Sequence, residues 1–366
     1  MIKQTPLAKV HRKLGARMVD FGGWDMPVFY TNVIEEHKIT RKKAGLFDIC
    51  HMGEIKITGP KSKELVQMVV TKNIEKMPIG KIYLAVMCNQ KGGIIDDLTI
   101  YKIAENDYLF VTNAGTKNKD YAHILKTKKK LGLTNTQVKV KDISKQTAKL
   151  DIQGPKSKLI LKQLTKVNLD SLKFYTFKQG KLLNTDAIIS RSGYTGELGY
   201  ELYFEAKSAK KIWNNFLKAG EKYGIQPIGL GARDTLRLEC GMNLYGHEIN
   251  EKINPLIARY RWVVDFDKNF VGKKALSKIK EKGLSKQLVG FEMIGAGIAR
   301  HNYSIIKNNN KIGYVTSGTY SPTLGKPIGL GYVSKKFQKP GTEIEIEIRN
   351  NKTKAKIIKL PFYKRR

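Results

Sequence analysis

A short repeat constrains the fold of this chain more than any other feature of its sequence. The pentapeptide Gly-Pro-Lys-Ser-Lys occurs at residues 59–63 and again at residues 154–158. In each copy a β-type run enters the Gly-Pro turn, and the Pro then begins a helical pattern. Two strands and a further helix follow each copy. This order predicts an α+β fold built of two ferredoxin-like β-α-β-β-α halves, near residues 54–130 and 148–223.

A double glycine followed by two acids provides the first candidate functional position. Gly92 and Gly93 permit a turn, and the β-rich run after them carries Asp96 and Asp97. Strand interiors disfavour Asp, so adjacent acids are unusual here. Alternation places Asp96 with the apolar side chains and Asp97 with Thr99, on the face better suited to a pocket. Asp97 is the leading candidate, although an acid that merely closes the hairpin fits the pattern equally well.

Four further polar residues stand at turns or strand ends, namely Asn113, Tyr194, Glu201 and Arg233. Asn113 ends a strand, where it fits either a ligand contact or a turn. Tyr194 lies in a glycine-flanked loop, as an adaptable aromatic plate or as a surface turn residue. Glu201 alternates with apolar neighbours, which fits an edge ion pair or an inward carboxylate. Arg233 opens a Gly-rich helix, where it suits an anion or a structural partner acid.

The last quarter of the chain changes its pattern. Residues 272–282 predict a charged connecting helix, and short strands with Asn and Gly turns follow from Gln287 onward. The tripeptide 308–310 is a hairpin signal. We therefore predict a domain over residues 1–283 and a separate all-β barrel over residues 284–366.

The net charge of +35, from 67 basic and 32 acidic residues, first suggests a nucleic-acid partner. The lysines are spread along the whole chain, however, and no zinc finger, aromatic RNA-binding motif or helix-turn-helix signature accompanies them. We therefore expect no nucleic acid as physiological partner. Such a charge would steer association with an acidic protein or a polyanionic small molecule more readily.

Several other classes of protein find no support in the sequence. The six histidines lack metal-ligand spacing, and the three cysteines, Cys50, Cys88 and Cys240, are far apart, so we expect no metal. The glycine-rich segments lack dinucleotide-binding and P-loop spacing. The N-terminus has no secretory apolar region and no run reaches the length of a membrane span, so we expect a cytoplasmic protein.

Long segments of the chain resemble one family, the T-proteins of the glycine cleavage system, which are aminomethyltransferases. The resemblance extends nearly from end to end. The segments that carry it include EEHKITRKKAGLFDICHMGEI, MCNQKGGIIDDLTIY, RSGYTGELGYEL, GLGARDTLRLECGMNLYGHEI and SGTYSPTLGKPIGLGYV. It implies a folate-binding domain of two ferredoxin-like halves followed by a C-terminal barrel, in agreement with the repeat.

The resemblance also implies an activity and its reactants. An aminomethyl group on the lipoyl arm of H-protein would react with tetrahydrofolate. The products would be 5,10-methylenetetrahydrofolate, ammonia and dihydrolipoyl H-protein. Asp97 matches the catalytic Asp of the family, and the four polar residues named above match folate-contacting positions. Asp97 would then hold the folate amine near N10 and stabilise a cationic methylene intermediate.

Two segments depart from the family pattern. The family has a Tyr at the position that Leu84 takes here, whereas Tyr83 lies one residue earlier and would face the other way in a regular strand. Tyr83 is nevertheless retained as a candidate folate contact. The segment 256–261 lacks the usual acid and glycine, so substrate access or H-protein docking could differ.

Two other functions remain open at this stage. A tetrahydrofolate-dependent demethylase of the same fold would act on a methylated sulfonium or amine. A folate-binding or basic RNA-associated protein without catalysis could descend from the same scaffold. Retention of the Asp-Asp-Leu run and of the GARDTLRLE helix favours aminomethyl transfer.

Overall fold

The computed structural model of the chain describes residues 2–349 and 351–365. The predicted domain ends at residues 1 and 366 lie outside the described residues. The chain divides into two compact units, one of Met1–Ala85 with Asp97–Arg233 and one of Val86–Asp96 with Asp234–Arg366. The domain boundary between residues 283 and 284 stays a prediction.

The repeat region and the segment before it contain most of the strands. In chain order these are β1 (Lys3–Gln4), β2 (Arg17–Phe21), β3 (Trp24–Phe29), β4 (Ala44–Asp48), β5 (Gly53–Thr58), β6 (Ile82–Cys88), β7 (Ile94–Ala104), β8 (Asp107–Thr112), β9 (Lys139–Asp142), β10 (Thr147–Gln153), β11 (Phe177–Leu182), β12 (Thr185–Ser190), β13 (Gly199–Glu205) and β14 (Ile225–Ile228). The last part of the chain adds β15 (Lys286–Met293), β16 (Ser304–Lys307), β17 (Asn310–Ser321), β18 (Lys326–Ser334), β19 (Glu343–Ile348) and β20 (Asn351–Ile358).

The α-helices are α1 (Ala8–Lys13), α2 (Val33–Lys42), α3 (Ser62–Val69), α4 (Lys117–Lys130), α5 (Ser157–Leu161), α6 (Ala209–Gly220), α7 (Leu230–Glu239) and α8 (Lys273–Lys282). Single turns of 3-10 helix occupy Ser144–Gln146, Ala206–Ser208, Glu221–Tyr223, Arg261–Val263 and Lys335–Phe337. Within the described residues, no helix is both long enough and apolar enough to span a membrane.

The predicted duplication is confirmed by the strand order of two sheets. One sheet has the order β6-β7-β8-β5-β9, and the other has the order β11-β12-β13-β10-β4-β14. The strands β11, β12, β13, β10 and β14 of the second sheet correspond in order to β6, β7, β8, β5 and β9 of the first. The second sheet differs in that β4 lies between β10 and β14. In each half the four strands of the ferredoxin-like order gain one edge strand, β6 or β11, which the repeat pattern did not predict.

The two Gly-Pro turns adopt the same backbone conformation. Gly59 has φ +119° and Gly154 has φ +120°, values that residues with a side chain rarely adopt. A Cβ atom would lie 2.4 Å from the Gln137 carbonyl oxygen in the first turn and 2.5 Å from the Thr40 carbonyl oxygen in the second. Backbone passes close to each turn, so both positions require glycine.

The two repeat sheets pack against each other through an aromatic cluster. Tyr101 of β7 has its ring centroid 5.2 Å from that of Phe177 on β11 and 5.3 Å from that of Tyr203 on β13. Ile82, Leu109 and the other buried members of the cluster come from both sheets. Side chains on these faces of β7 and β13 therefore meet between the two halves.

The C-terminal strands form a closed barrel with the order β15-β18-β17-β16-β19-β20, as the pattern predicted. Its apolar interior includes Phe291, Val315 and Ile346. The hairpin predicted at residues 308–310 joins β16 to β17, and Asn308 and Asn309 both have positive φ, as a tight hairpin turn requires. The predicted helix over residues 272–282 is α8.

Candidate functional site

Asp97, in the first half of β7, and Asn113, at the end of the adjacent strand β8, are brought together. The side-chain amide of Asn113, just after β8, donates to the Asp97 Oδ1 atom at 2.9 Å and to the Asp97 carbonyl oxygen at 3.1 Å. Asp97 is partly buried and shares its face of β7 with Tyr101. Asp96 is fully buried on the opposite face with Leu98, so the predicted alternation is confirmed. Asn113 fixes the orientation of the Asp97 carboxylate.

Glu201 lies directly opposite a second acid that the sequence did not single out. In the antiparallel pair of β10 and β13, Asp151 is the cross-strand partner of Glu201. The two side chains are 0% and 7% exposed. Cross-strand partners point to the same face of a sheet, so two buried carboxylates share one site. Asp151 belongs to an alternating buried set with Lys149 and Gln153, a signal that the sequence does contain.

Glu201 is held by several donors. Ser192 donates to its Oε2 atom at 2.6 Å, and the Lys149 ammonium lies 3.3 Å from its Oε1 atom. The Tyr101 hydroxyl lies 3.4 Å from Oε2 but also 2.9 Å from the Tyr203 hydroxyl, and it has one proton to give. A carboxylate accepts about four hydrogen bonds. Glu201 therefore keeps acceptor capacity for the donors of a ligand.

The two acids have opposite pKa shifts. Burial opposes ionisation of Glu201, but Lys149, the Ser192 hydroxyl and Arg233 together hold its pKa below the ordinary value. Burial and the nearby Glu201 charge raise the pKa of Asp151 to about 7, against the opposing effects of Arg233 and Lys149. Two like charges in one buried site cannot both ionise easily. Below about pH 7, Glu201 is therefore the member of the pair that carries the charge.

Arg233 links Tyr194 to this acidic pair. Its guanidinium lies 4.8 Å from the centroid of the Tyr194 ring, and its Nη1 atom lies 3.5 Å from the Asp151 Oδ2 atom. Three of the four turn and strand-end candidates, Tyr194, Glu201 and Arg233, thus belong to one network. The sequence left open whether Arg233 binds an anion or pairs with a structural acid, and in the structure it pairs with Asp151.

Tyr175 connects the two parts of the site electrostatically and was missed from the sequence. Burial raises the pKa of its phenol, and the charges of Glu201 and Asp97 raise it further. One side chain therefore lies within range of both carboxylates. Tyr175 has φ +59°, an uncommon conformation for a residue with a side chain, and its carbonyl accepts from the Ile82 N–H at 2.9 Å. The irregular backbone holds Tyr175 between the halves.

Glu54 is a buried acid of β5 near Lys149. It is 1% exposed, and within the described residues neither carboxyl oxygen has a hydrogen-bond partner. Its cross-strand neighbour on β8 is Val111, a member of the cluster between the sheets, so Glu54 faces the second repeat. Burial raises the pKa of Glu54 to about 8, although the Lys149 charge opposes this shift.

Stability should respond to pH through Glu54. Its folded-state pKa of about 8 exceeds the ordinary value of 4.5, so between these values the folded protein keeps a proton that the unfolded chain has lost. Stability therefore falls as pH rises through this window, by at most about 1.4 kcal/mol per pH unit. We expect the Tm of Glu54→Gln, measured by calorimetry, to rise relative to wild type from pH 5 to pH 8.

Glu64→Gln serves as a control for this prediction. Glu64 is an exposed residue of α3, and its replacement should change Tm by the same amount at both pH values. If the Tm difference between Glu54→Gln and wild type were equally independent of pH, Glu54 would not be a buried acid that keeps its proton in the folded protein.

Tyr83 and Leu84 occupy opposite faces of β6. Ile82 belongs to the cluster between the sheets, and alternation then gives Leu84 the same face. Tyr83 is partly buried, and the Lys72 ammonium lies 5.6 Å from its ring centroid. The folate contact of Tyr83 stays a prediction, and Leu84 is the member of the pair on the interior face.

In the part of the chain that the structure describes, no group of three or more His, Cys, Asp or Glu side chains could hold a metal ion. Cys50 and Cys88 are buried, and burial raises the pKa of both thiols.

Two family descriptions match the sequence. Residues 7–268 match the GCVT N-terminal domain, and residues 286–364 match the glycine cleavage T-protein C-terminal barrel domain. The aminomethyltransferase of Halothermothrix orenii is 48% identical over 362 residues, with 99% of this chain and 100% of that protein covered. The aminomethyltransferase of Desulforamulus reducens is 46% identical over 365 residues, with 100% and 99% covered.

A solved structure agrees with these sequence matches. The crystal structure of glycine cleavage system aminomethyltransferase T from Bartonella henselae superposes with a TM-score of 0.93 at 32% identity. The match covers 100% of this chain and 99% of that one. The predicted combination of a duplicated α+β domain and a C-terminal barrel is thereby confirmed.

Proposed function

The chain belongs to the aminomethyltransferase family, the T-proteins of the glycine cleavage system, and we propose that it uses tetrahydrofolate and lipoylated H-protein as its reactants. One observation carries the assignment of the site. Asn113 orients the Asp97 carboxylate, and Glu201 is a second carboxylate, buried and charged. Both carboxylates lie near the Tyr175 phenol between the two repeats and raise its pKa. This arrangement offers two separate anionic positions to one elongated ligand.

Glu201 suits the pterin end of the folate. The pterin ring presents neighbouring N–H and NH₂ donors, which a charged carboxylate accepts in a paired geometry. The acceptor capacity left on Glu201 after Ser192 and Lys149 supports this role. Tyr194 offers a flat ring for packing, and the adjacent Arg233 guanidinium reinforces that surface.

Asp97 suits the reacting centre. In the proposed reaction the methylene carbon forms bonds to N5 and N10 of tetrahydrofolate, and its bonds to sulfur and to nitrogen break. The two protons that leave N5 and N10 end on the departing thiolate and amine. Positive charge develops on the methylene group during this exchange, and a fixed carboxylate stabilises it. Asn113 holds Asp97 in place before the reaction, so little reorganisation is required.

Reconstitution with aminomethyl-loaded H-protein and tetrahydrofolate tests the proposal. We expect ammonia and 5,10-methylenetetrahydrofolate to form in equal amounts. Folate binding without product would exclude aminomethyl transfer and would leave a non-catalytic folate-binding protein. Formation of a methylated folate from a methylated amine or sulfonium substrate would identify the demethylase alternative.

The basic surface supports an acidic partner. With a formal net charge of +35, the chain should attract an acidic H-protein over long range. We expect the apparent KM for H-protein to rise roughly tenfold between about 50 and 300 mM salt. The KM for tetrahydrofolate, measured in the same assays, is the internal control and should change less. A KM for H-protein that is flat across this range would contradict electrostatic docking.

A further inference from the structure

Lys149 is a lysine with almost no access to solvent. It lies on β10 and is 1% exposed. Its ammonium is 3.3 Å from Glu201 Oε1, 3.5 Å from the Met52 sulfur and 5.0 Å from the centroid of the Tyr203 ring. Burial of an ammonium is costly unless an opposite charge compensates it. The position of Lys149 is therefore tied to the charge of Glu201.

The acids around Lys149 would otherwise repel each other. Asp151 and Glu201 are direct cross-strand partners, an arrangement that is unfavourable when both are charged. Arg233 lies against Asp151 and Lys149 lies against Glu201, so each acid has its own cation. Without Lys149, the proton that Asp151 holds below about pH 7 would move in part to Glu201.

We propose that Lys149 is a positioning residue of the folate site, whose ammonium holds Glu201 as a charged and oriented acceptor for the pterin donors. This inference rests on the proposed function. Lys149 uses one lone pair of Oε1 and fixes the plane of the carboxylate, while Ser192 fixes Oε2. The contacts with Lys149 and Ser192 therefore set the direction in which the remaining lone pairs of Glu201 point toward the ligand.

Several titratable or charged groups surround the Lys149–Glu201 pair, and they come from each element packed against it. They are Asp151 on β10, Tyr203 on β13, Glu54 on β5, Tyr101 on β7, Arg233 on α7, and His51 and Tyr175 in connecting segments. Burial lowers the pKa of His51 to about 3 and raises the pKa values of the tyrosines, so these groups stay neutral near pH 7. Asp151 and Glu54 remain as the acids that titrate between pH 6 and 9.

The Lys149→Met variant tests the proposal through a pH profile. The dissociation constant for tetrahydrofolate would be measured by calorimetry under anaerobic conditions between pH 6 and 9. At pH 6 we expect binding to weaken about tenfold or more, because the pair can then place its proton on Glu201. The loss should shrink steadily as pH rises, since both acids regain their charge. A purely structural role of Lys149 would give a loss that does not change with pH.

Three variants accompany this measurement. Lys149→Arg keeps the charge and should retain the wild-type profile. Lys102→Met removes a buried lysine of the first repeat, paired with Glu105, and should leave folate binding unchanged. The double variant Lys149→Met with Asp151→Asn removes the ammonium and also replaces the neighbouring acid by a side chain that cannot ionise. It should bind folate more tightly at pH 6 than Lys149→Met alone, and it provides a second test if the single variant does not fold.

The outcomes separate this inference from the proposed function. Failure of the wild-type protein to bind tetrahydrofolate would overturn the proposed function and the inference with it. Wild-type binding, together with a Lys149→Met loss that is absent or independent of pH, would overturn the inference alone. The inference would also be overturned if the double variant folds but binds folate no more tightly at pH 6 than Lys149→Met does. If Lys149→Met does not fold, Lys149→Gln takes its place in this comparison.

Discussion

Replacement of Asp97 by Asn is expected to lower kcat by about 10²–10³-fold while tetrahydrofolate still binds, because the change removes a charge that acts on the transition state. Asn keeps an oxygen that can accept the 2.9 Å hydrogen bond from Asn113, so the local geometry should persist. Steady-state rates of methylenetetrahydrofolate formation, with the folate dissociation constant measured separately, check both parts of this expectation.

Asp96→Asn is the matched control for Asp97→Asn. Asp96 is the neighbouring acid, fully buried on the opposite face of β7. Its replacement is expected to affect stability more than kcat, so rates should be corrected for the folded fraction. Equal losses of kcat per folded molecule at both positions would contradict the assignment of Asp97 to the reacting centre.

Replacement of Glu201 by Gln is expected to have the second largest effect, on folate binding rather than on kcat. Gln lacks the charge, and its NH₂ group is a donor at a position where the pterin donors need an acceptor. Charged hydrogen bonds contribute about 1.5–3 kcal/mol each, so loss of a paired contact predicts a rise of at least roughly 100-fold in the dissociation constant. Calorimetric titration with tetrahydrofolate measures this directly.

Glu205→Gln controls for the general effect of losing an acid from the same strand. Glu205 ends β13 at the surface, where it lies 3.0 Å from the Lys207 ammonium. Its replacement should leave the folate dissociation constant within about twofold, as expected for an exposed ion pair. A Glu201→Gln variant that folds and binds folate as well as Glu205→Gln would remove Glu201 from the site.

Much of the fold follows from local patterns that the chain repeats. The Gly-Pro turns are predictable because Gly59 and Gly154 both need positive φ, and the sequence shows this requirement twice. The alternation around Asp97 is equally local, since a strand must place neighbouring residues on opposite faces. By contrast β11, at the edge of its sheet, carries exposed polar residues, and its sequence resembles a loop.

The site was predictable in part for a different reason. Asn113 and Glu201 stand out where polar residues interrupt or end apolar strands. Lys149 and Asp151 also alternate with apolar residues in β10, but the partner of each depends on which strand lies beside β10, and that register appears only in the folded sheet. Tyr175 depends on the packing of the two repeats against each other, which no local pattern encodes.

A crystal structure with tetrahydrofolate bound tests the central claim most directly, namely that Glu201 and Asp97 act on one folate between the repeats. We predict the pterin donors on the Glu201 carboxylate and N10 within hydrogen-bond distance of Asp97. The same structure would show whether Leu84 or Tyr83 contacts the ligand. Folate bound elsewhere, or with its pterin ring away from Glu201, would contradict the account.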